Sequence, residues 1–433
     1  MMNKTLDYII RFLLGDDLSP DLCATIGYTS DRSLFHKYTT VIIPSGFFDE
    51  QTYGTPASLP PLPLHEIEGI PLLFGVPRIE KIGDTLVTHA DLIASSYFLI
   101  SRYEEMLKRN SRDEHGRFPG NESLPYRAGF IHRPVIDEYR LLLRRWLRET
   151  NRNIPEIPKG IRKINLTHDI DAPFLYRSWK GLVRHFRDNR SLTGAIRAKF
   201  GPLENDPFYT FPFLFEQNNA LTSISDNAKA QAFYFLKAGG SSPQDKPHYN
   251  LKSRDMQSLL DAIKRQNGTI GLHSSYQAGR EPHYILREKK RLERAVGHPI
   301  TCNRHHFLAL RQPEDIESLE AAKITDDYTM GYADIAGFRL GTSYPVQAIN
   351  PVTRRLSPLT LHPLILMDCT LDDPKYMALG DEEATIYCLE LFEQIRQVGG
   401  EVTLLWHNTS LIEKPESYQR KLYTLLLNEL IRE

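Results

Sequence analysis

Two aspartates separated by one residue end an apolar segment near the middle of the chain. Asp169 and Asp171 follow Ile164-Asn165-Leu166, a run that predicts a buried strand. Side chains at i and i+2 of a strand point the same way, so both carboxylates should project from its carboxyl end. Carboxylates this close repel each other unless a cation or a shared proton lies between them. The pair indicates a metal site with one aspartate as ligand and the other as base, and a helix cap or loop salt bridge is the alternative.

Two later segments repeat the arrangement of a strand-like run that ends in an ionisable side chain. Thr269-Ile270-Gly271-Leu272 runs into His273, and Val402-Thr403-Leu404-Leu405-Trp406 runs into His407. A single histidine in such a place is more often a hydrogen-bonded structural residue than a ligand. Three such endings in one chain favour a site at the carboxyl edge of an α/β sheet or barrel.

Together these segments resemble the polysaccharide deacetylase family, carbohydrate esterase family 4, over roughly residues 160 to 433. The resemblance implies a metal-dependent hydrolase that removes acetyl groups from an N-acetylated sugar or polysaccharide. It implies a divalent cation held by Asp171 and His273, with zinc as the first candidate. In the same family pattern Asp169 is the catalytic base, Arg304 orients that base, and His407 is the general acid.

One position departs from the family pattern. The family's second histidine lies four residues after the first, where this chain has Gln277, and glutamine is a poor zinc ligand. His306 is a candidate replacement, because it alternates with Arg304 in a strand-like segment and should face the same cavity. Gln277 and Asp327 remain alternative third ligands. The competing function is a catalytically inactive, carbohydrate-binding member of the family that has lost the metal.

The segment of residues 325–345 is rich in glycine, tyrosine and aspartate and has little helical period. Aromatic faces beside aspartate and arginine suit stacking on sugar rings and hydrogen bonding to them. Irregular segments of this length are uncommon in compact domains unless they are functional. We expect substrate contacts from Tyr276, Asp327, Tyr332, Asp334 and Arg339.

Strand-like runs and helical periods alternate after residue 160, which predicts a parallel sheet covered by helices. The predicted strands are 164–167, 232–236, 269–272, 301–307, 364–367 and 402–405, and the predicted helices include 255–265, 287–295, 313–322 and 382–398. The family resemblance implies that this α/β sheet closes into a distorted (β/α) barrel of seven strands.

A polar, proline-containing stretch at residues 151–160 is typical of a linker. It predicts a smaller N-terminal α/β domain, residues 1–155, before the deacetylase-like barrel, residues 160–433. We expect a strand at 41–44 in the first domain and helices over 91–107 and 135–147. Residues 101–105 and 113–118 resemble the uncharacterised domain that precedes some bacterial deacetylase-like domains, and we expect them to form an interdomain interface rather than a second active site.

Composition limits the partners and the location. The chain has 433 residues and a formal net charge of −1, so no strong field favours nucleic acid or an anionic membrane. Its four cysteines show no Cys-x-x-Cys spacing, which argues against a structural zinc site or a disulfide framework. Asp7 and Arg11 interrupt the apolar start, which predicts an amphipathic helix rather than a signal peptide. No run approaches the roughly 18 apolar residues that span a bilayer. We expect a cytoplasmic protein with a carbohydrate substrate.

Overall fold

Three sheets, of nine, four and two strands, contribute to one hydrophobic core in the computed structural model, which describes residues 2–149, 154–224 and 229–432. The strands are β1 (Ile26–Tyr28), β2 (Thr40–Ile42), β3 (His65–Ile67), β4 (Ile70–Leu72), β5 (Gly75–Ile82), β6 (Thr85–Ala90), β7 (Lys163–Ile170), β8 (Lys229–Leu236), β9 (Thr269–Ser274), β10 (Cys302–His305), β11 (Asp326–Met330), β12 (Val346–Asn350), β13 (Arg355–Pro363), β14 (Leu366–Met367) and β15 (Glu401–Leu405). The helices are α1 (Met2–Leu14), α2 (Pro20–Cys23), α3 (Leu92–Ile100), α4 (Tyr103–Leu107), α5 (Leu124–Arg127), α6 (Val135–Glu149), α7 (Trp179–Asn189), α8 (Leu192–Phe200), α9 (Phe211–Ile224), α10 (Arg254–Arg265), α11 (His283–Val296), α12 (Ile316–Ala321), α13 (Asp368–Asp372), α14 (Asp381–Val398) and α15 (Gln419–Ile431).

The larger sheet has nine strands in the order β12-β13-β11-β10-β9-β8-β7-β15-β14. Neighbouring strands run parallel throughout, except that β12 pairs antiparallel to β13 at one edge. This is the predicted mixed α/β architecture with a large parallel sheet. Among the described residues the two edge strands, β12 and β14, each pair with a single neighbour. The closed seven-stranded barrel therefore remains a prediction.

The alternation of β7 explains how the sequence positions its two aspartates. Ile164 and Leu166 are fully buried in the hydrophobic core, whereas Thr167 and Asp169 point to the opposite face, which is also buried. On that face Thr167 Oγ1 donates a hydrogen bond to Leu404 O at 2.6 Å. Because both faces of β7 are covered, its buried polar side chains, Asn165, Thr167, His168 and Asp169, all need hydrogen-bond partners.

Three predicted elements differ from the structure. The helix predicted over 91–107 is split into α3 and α4 at Arg102, whose φ of 57° lies outside the helical region. The strand predicted over 301–307 ends at His305, and the next three residues form a single turn of 3₁₀ helix. The segment predicted to be irregular, residues 325–345, begins with the buried strand β11. In the first two cases the pattern of residue types continues through residues whose backbone conformation ends the helix or the strand.

The irregular residues 331–345 pack against the N-terminal half of the chain. Arg339 donates to Glu105 Oε1 at 3.0 Å and to Oε2 at 2.8 Å, and Arg102 pairs with the same carboxylate. Asp137 accepts from Thr342 Oγ1 and from Ser343 N, the latter at 2.8 Å. Burial opposes ionisation of Glu105, but the two guanidinium groups outweigh it and lower its pKa to about 2.

The two halves are therefore closely joined. One hydrophobic cluster contains buried residues from both, from Ile9 to Leu430. Residues 150–153, in the predicted linker, lie outside the described residues. The division into a 1–155 domain and a 160–433 domain stays a prediction.

We expect Glu105→Ala to lower the free energy of unfolding by about 3–5 kcal/mol, because it leaves the buried Arg102 and Arg339 guanidinium groups without their shared carboxylate. Glu314→Ala is the matched control. It removes an ion pair with Arg109 in which the side chains are 43% and 32% exposed, and exposed pairs contribute about 0–1 kcal/mol. Urea unfolding of both variants measures the difference. Equal losses of stability in the two variants would show that the buried cluster of Glu105 with Arg102 and Arg339, the Glu105 triad, stabilises the protein no more than an exposed ion pair does.

Candidate active site

The carboxyl ends of neighbouring parallel strands bring the predicted chemical groups together. Asp171 directly follows β7, His273 lies in β9, His306 directly follows β10, and His407 lies two residues after β15. Strands β10, β9, β8, β7 and β15 are consecutive in the sheet. The four side chains therefore meet at one edge, although their positions in the chain are far apart.

Three of these side chains converge on a common point. Asp171 Oδ1 lies 3.4 Å from His273 Nε2 and 3.2 Å from His306 Nε2. These ligand-type atoms all lie within 4.8 Å of one another. Two ligands of a tetrahedral zinc ion are about 3.3 Å apart, given bonds of about 2.0–2.1 Å. The spacing of this aspartate and these two histidines fits a divalent cation with nitrogen and oxygen ligands.

The hydrogen bonds of the cluster also fit a cation. Asp171 Oδ1 and His273 Nε2 are buried and have no hydrogen-bond partner. The other nitrogen of His273, Nδ1, lies 3.0 Å from the carbonyl oxygen of Arg304. The corresponding nitrogen of His306 lies 3.4 Å from Asp245 Oδ1. A proton on each Nδ1 leaves the Nε2 lone pair directed at the shared point, as in histidine ligands oriented by outer partners.

The charge on Asp171 is stabilised by its neighbours. Burial alone would raise the pKa of this carboxyl, but His306 and His273 outweigh the burial and hold it well below its usual range. Lys237 lies on another side of the cluster, with Nζ 3.7 Å from Asp171 Oδ1 and 3.1 Å from the carbonyl oxygen of Asp245. The carboxylate is therefore available as an ionised ligand.

Asp169 is held beside the cluster by Arg304. Arg304 Nη1 donates to Asp169 Oδ1 at 3.1 Å and to Thr167 Oγ1 at 2.7 Å, and its Nε donates to the carbonyl oxygen of Tyr328. The other carboxylate oxygen of Asp169, Oδ2, lies 3.5 Å from His273 Nε2. One oxygen is therefore fixed by the guanidinium group, and the other faces the point on which the three candidate ligands converge.

His407 lies on the opposite side of Asp171 and has a carboxylate partner of its own. Its Nε2 lies 3.7 Å from Asp171 Oδ2, while Nδ1 lies 2.8 Å from Asp368 Oδ1 and its backbone N–H donates to Asp368 Oδ2 at 2.7 Å. Burial would lower the pKa of His407, but the Asp368 carboxylate reverses that effect and raises it well above the usual value. An imidazolium with its Nε2–H directed at the cluster is suited to donate a proton.

Asp368, Cys369 and His407 form a second group of potential ligands, with atoms within 4.8 Å of one another. Their atoms already bind each other, because Asp368 accepts from His407 and from the backbone N–H of Cys369 at 2.7 Å. Burial raises the pKa of the Cys369 thiol to about 11, so it is not a thiolate at neutral pH. This group is better suited to hold a proton than a metal ion.

The predicted substrate residues do not line the cluster. Tyr276 is 1% exposed, with its ring between the guanidinium groups of Arg280 and Arg311. Asp327 is fully buried and accepts hydrogen bonds from Asn303 and Thr329, so it is occupied in the sheet interior rather than directed at the cluster.

The other three predicted substrate residues contact the N-terminal half. Asp334 accepts from the backbone N–H groups of Gly120 and Asn121 at 2.8 and 3.1 Å. Tyr332 packs in a small apolar cluster with Phe118, and the Arg339 guanidinium lies over its ring. The expectation that these residues recognise substrate rested on composition, and their observed contacts form an interface between the two halves.

Two residues that the sequence analysis did not single out belong to the site. Asp368 follows the strand-like run Ile365-Leu366-Met367, so the same pattern of a strand ending in an acid that revealed Asp169 could have revealed it. Asp245 lies in a loop with no comparable signal. Its fully buried carboxylate accepts from the backbone N–H of Tyr276 at 2.7 Å and reaches His306.

Among the alternative third ligands, the structure brings His306 and not Gln277 to the cluster. Gln277 Oε1 instead accepts from Ser241 Oγ at 2.8 Å, and Nε2 donates to Glu281. We expect His306→Ala to lose bound zinc nearly as completely as His273→Ala, whereas Gln277→Ala keeps it. Zinc content after dialysis against a weak chelator measures the ranking. Zinc lost from Gln277→Ala but retained by His306→Ala would place the glutamine among the ligands.

Comparison with known proteins finds similarity in both halves. Residues 3–152 match a family of unknown function, DUF7033. No curated protein matches significantly. No helix in the described part of the chain is both long and apolar enough to cross a membrane.

Three solved structures are similar to this fold. A putative polysaccharide deacetylase from Mycobacterium smegmatis is 13% identical, with 64% of this chain and 88% of that chain covered at a TM-score of 0.40. Puue allantoinase is also 13% identical, with 63% and 83% covered and a TM-score of 0.35. A mutant of a CE4 family pseudoenzyme with restored enzymatic activity is 10% identical, with 63% and 64% covered and a TM-score of 0.31. Similarity at this level gives no information about activity.

Proposed function

We propose that this protein is a metal-dependent hydrolase that removes acetyl groups from an N-acetylated sugar or polysaccharide. The observation that carries the proposal is the convergence of Asp171 Oδ1 with His273 Nε2 and His306 Nε2 at 3.4 and 3.2 Å, where the first two atoms are buried and have no hydrogen-bond partner. Buried polar atoms without partners are costly in a folded protein. A cation bound by all three would remove that cost.

The three ligands leave room for chemistry at the cation. Catalytic zinc sites use three protein ligands and keep a further position open, whereas structural sites are closed by four. A bound divalent cation polarises a carbonyl group and makes a coordinated water more acidic. Because Asp171 and His407 side chains are 25% and 15% exposed, substrate has access to this side of the cluster.

Asp169 and His407 lie on either side of the candidate ligands and act as base and acid, respectively. Asp169 takes a proton from the attacking water through Oδ2, while Arg304 holds Oδ1 and so fixes the direction of the carboxylate. His407 donates the proton on Nε2 to the leaving amine, and Asp368 keeps the imidazole protonated and fixes its tautomer. Asp169 and His407 approach the candidate ligands from β7 and β15, which are adjacent strands.

The substrate class comes from the sequence resemblance, and the acid–base arrangement is consistent with it. Amide hydrolysis needs a base for the water and an acid for the amine, both near a group that polarises the carbonyl. The site has candidates for all three.

A carbohydrate-binding protein without catalysis is the competing function. Lys237 is the observation in its favour, because its Nζ lies 3.7 Å from Asp171 Oδ1, and a positive charge there would compete with a metal ion for this carboxylate. The two functions differ in metal dependence. The binding protein should bind sugar equally well with and without metal and release no acetate.

The test is acetate release from a panel of N-acetylated oligosaccharides by zinc-loaded protein, by chelated protein and by chelated protein reloaded with zinc. We expect release by the first and third preparations only. Sugar binding by calorimetry in all three preparations, with no acetate released from any, would replace the hydrolase with the binding protein.

A further inference from the structure

The backbone directly after His306 is strained. Phe307 has φ 60° and ψ 16°, and Leu308 has φ 53°. Two successive residues with side chains in the left-handed region are unusual, because the Cβ atom crowds the backbone there. Such conformations persist only where surrounding contacts impose them, and they cluster at functional sites. What holds this turn therefore bears on how His306 is held.

Pairing with the neighbouring strand β9 does not fix the position of His306. The pairing of β10 with β9 ends at His305, opposite Ser274, so His306 lies one residue beyond the last paired position. The ring of His306 has one polar contact on its outer side, the 3.4 Å approach of Nδ1 to Asp245. The ring of His306 also packs on the rings of His273 and Phe307, with centroids 4.9 and 4.7 Å away, so the turn that contains Phe307 bears directly on the direction of the side chain.

Arg117, from the N-terminal half, contacts that turn. Its Nη1 donates to the carbonyl oxygen of Phe307 at 3.0 Å, and its Nη2 donates to Tyr376 Oη at 3.0 Å. Nε donates to Asp113 Oδ2 at 2.7 Å, and Asp113 Oδ1 accepts from the backbone N–H of Arg117 at 2.8 Å. Each guanidinium nitrogen therefore has its own acceptor, and Arg117 itself is 8% exposed. This buried contact, with three separate acceptors, differs from a surface ion pair.

Neighbouring contacts support the same turn. The ring of His115 packs on the ring of Phe307, with centroids 4.7 Å apart, and the carbonyl oxygen of His115 accepts from Arg311 Nε at 2.9 Å. Arg102 Nη2 donates to the carbonyl oxygen of Leu310 at 3.0 Å. The loop of residues 113–117 thus covers the segment that begins with His306.

We propose that Arg117, held by Asp113, is a positioning residue of the metal centre. It fixes the left-handed backbone of Phe307 and thereby aims His306 Nε2 at the position shared with Asp171 and His273. The inference rests on the proposed metal site and adds a role for the N-terminal half, which completes a centre whose ligands all lie in the C-terminal half.

The experiment measures the zinc affinity of wild type and Arg117→Ala against a chromophoric chelator. We expect Arg117→Ala to weaken zinc binding about 10–100-fold, the usual effect of losing an outer partner of a ligand. The visible bands of cobalt-loaded Arg117→Ala should also shift, since they report ligand geometry.

Arg109→Ala is the matched control, because Arg109 also joins the N-terminal half to this segment, but at Gln312 and Glu314. It should leave zinc affinity and the cobalt spectrum unchanged. If Arg117→Ala does not fold, Asp113→Asn tests the same contact with a smaller change, because it removes only the charge of the carboxylate that holds Arg117. Arg117→Lys should bind zinc little better than Arg117→Ala, because one ammonium group cannot donate to three separated acceptors.

The outcomes separate this inference from the metal site itself. Loss of zinc from His306→Ala with wild-type affinity in Arg117→Ala would overturn the positioning role alone. An unchanged cobalt spectrum in Arg117→Ala would do the same. Undiminished zinc binding by His306→Ala would overturn the ligand assignment, and the positioning role with it.

Discussion

Asp169→Asn and His407→Ala should each lower acetate release by zinc-loaded protein by about 10²–10⁴-fold, the usual cost of removing a positioned base or acid. Asparagine keeps the shape of Asp169 and a hydrogen bond for Arg304 but cannot accept a proton from water. Alanine at 407 leaves the departing amine without the Nε2 proton. Both variants should retain bound zinc, because neither residue is among the three converging ligands. The measurement is the initial rate of acetate release at saturating substrate.

Two controls make this result specific. Asp326→Asn changes an aspartate of β11 that pairs with His362 at 2.9 Å, and His298→Ala changes an exposed histidine. Both should keep nearly full activity. Activity within a few-fold of wild type in Asp169→Asn or His407→Ala would remove that residue from the mechanism. Loss of activity together with loss of zinc would indicate a ligand or a folding defect instead.

Asp171→Ala and His273→Ala should each abolish stoichiometric zinc binding. With only three protein ligands, removing one leaves two, and the remaining buried groups gain no replacement partner. Elemental analysis after dialysis should find close to one zinc per wild-type chain and a small fraction of that in each variant. Full occupancy in both variants would contradict the metal centre, whatever their activity.

Stability measurements separate ligand loss from unfolding. In the absence of zinc, wild type and the two variants should unfold at similar urea concentrations. Adding zinc should stabilise wild type only, because a ligand that binds the native state shifts unfolding by mass action. Zinc stabilisation of His273→Ala to the same extent as wild type would show that the ion binds elsewhere.

The sequence predicted the site best where a side chain's direction follows from strand alternation. Asp169, His273 and Arg304 all lie within strands of the parallel sheet, and His273 is the register partner of Arg304 in the neighbouring strand. Position in a strand fixes which face a side chain occupies, and parallel order fixes the edge at which it lies. The grouping of these side chains at one edge of the sheet could therefore be predicted without coordinates.

Other parts depended on contacts that no local pattern encodes. Arg339 and Asp334 sit in a segment whose composition suits sugar binding, yet their partners are Glu105 and Gly120, more than 200 residues earlier in the chain. The predicted strand through residue 307 was wrong because alternation of residue types continues past the point where Phe307 turns into the left-handed region. Tertiary contact rather than local propensity decides such positions.

The buried Glu105 triad also has a consequence for synthesis on the ribosome. Glu105 and Arg339 are separated by 234 residues in the chain. At about 5–20 residues per second, the N-terminal half waits roughly 10–50 s before its arginine partner is made. During that interval Glu105 has only Arg102 as a partner, and the face that will hold Arg339 is exposed and charged. These charges keep the face hydrated and disfavour premature self-association until the second half covers it.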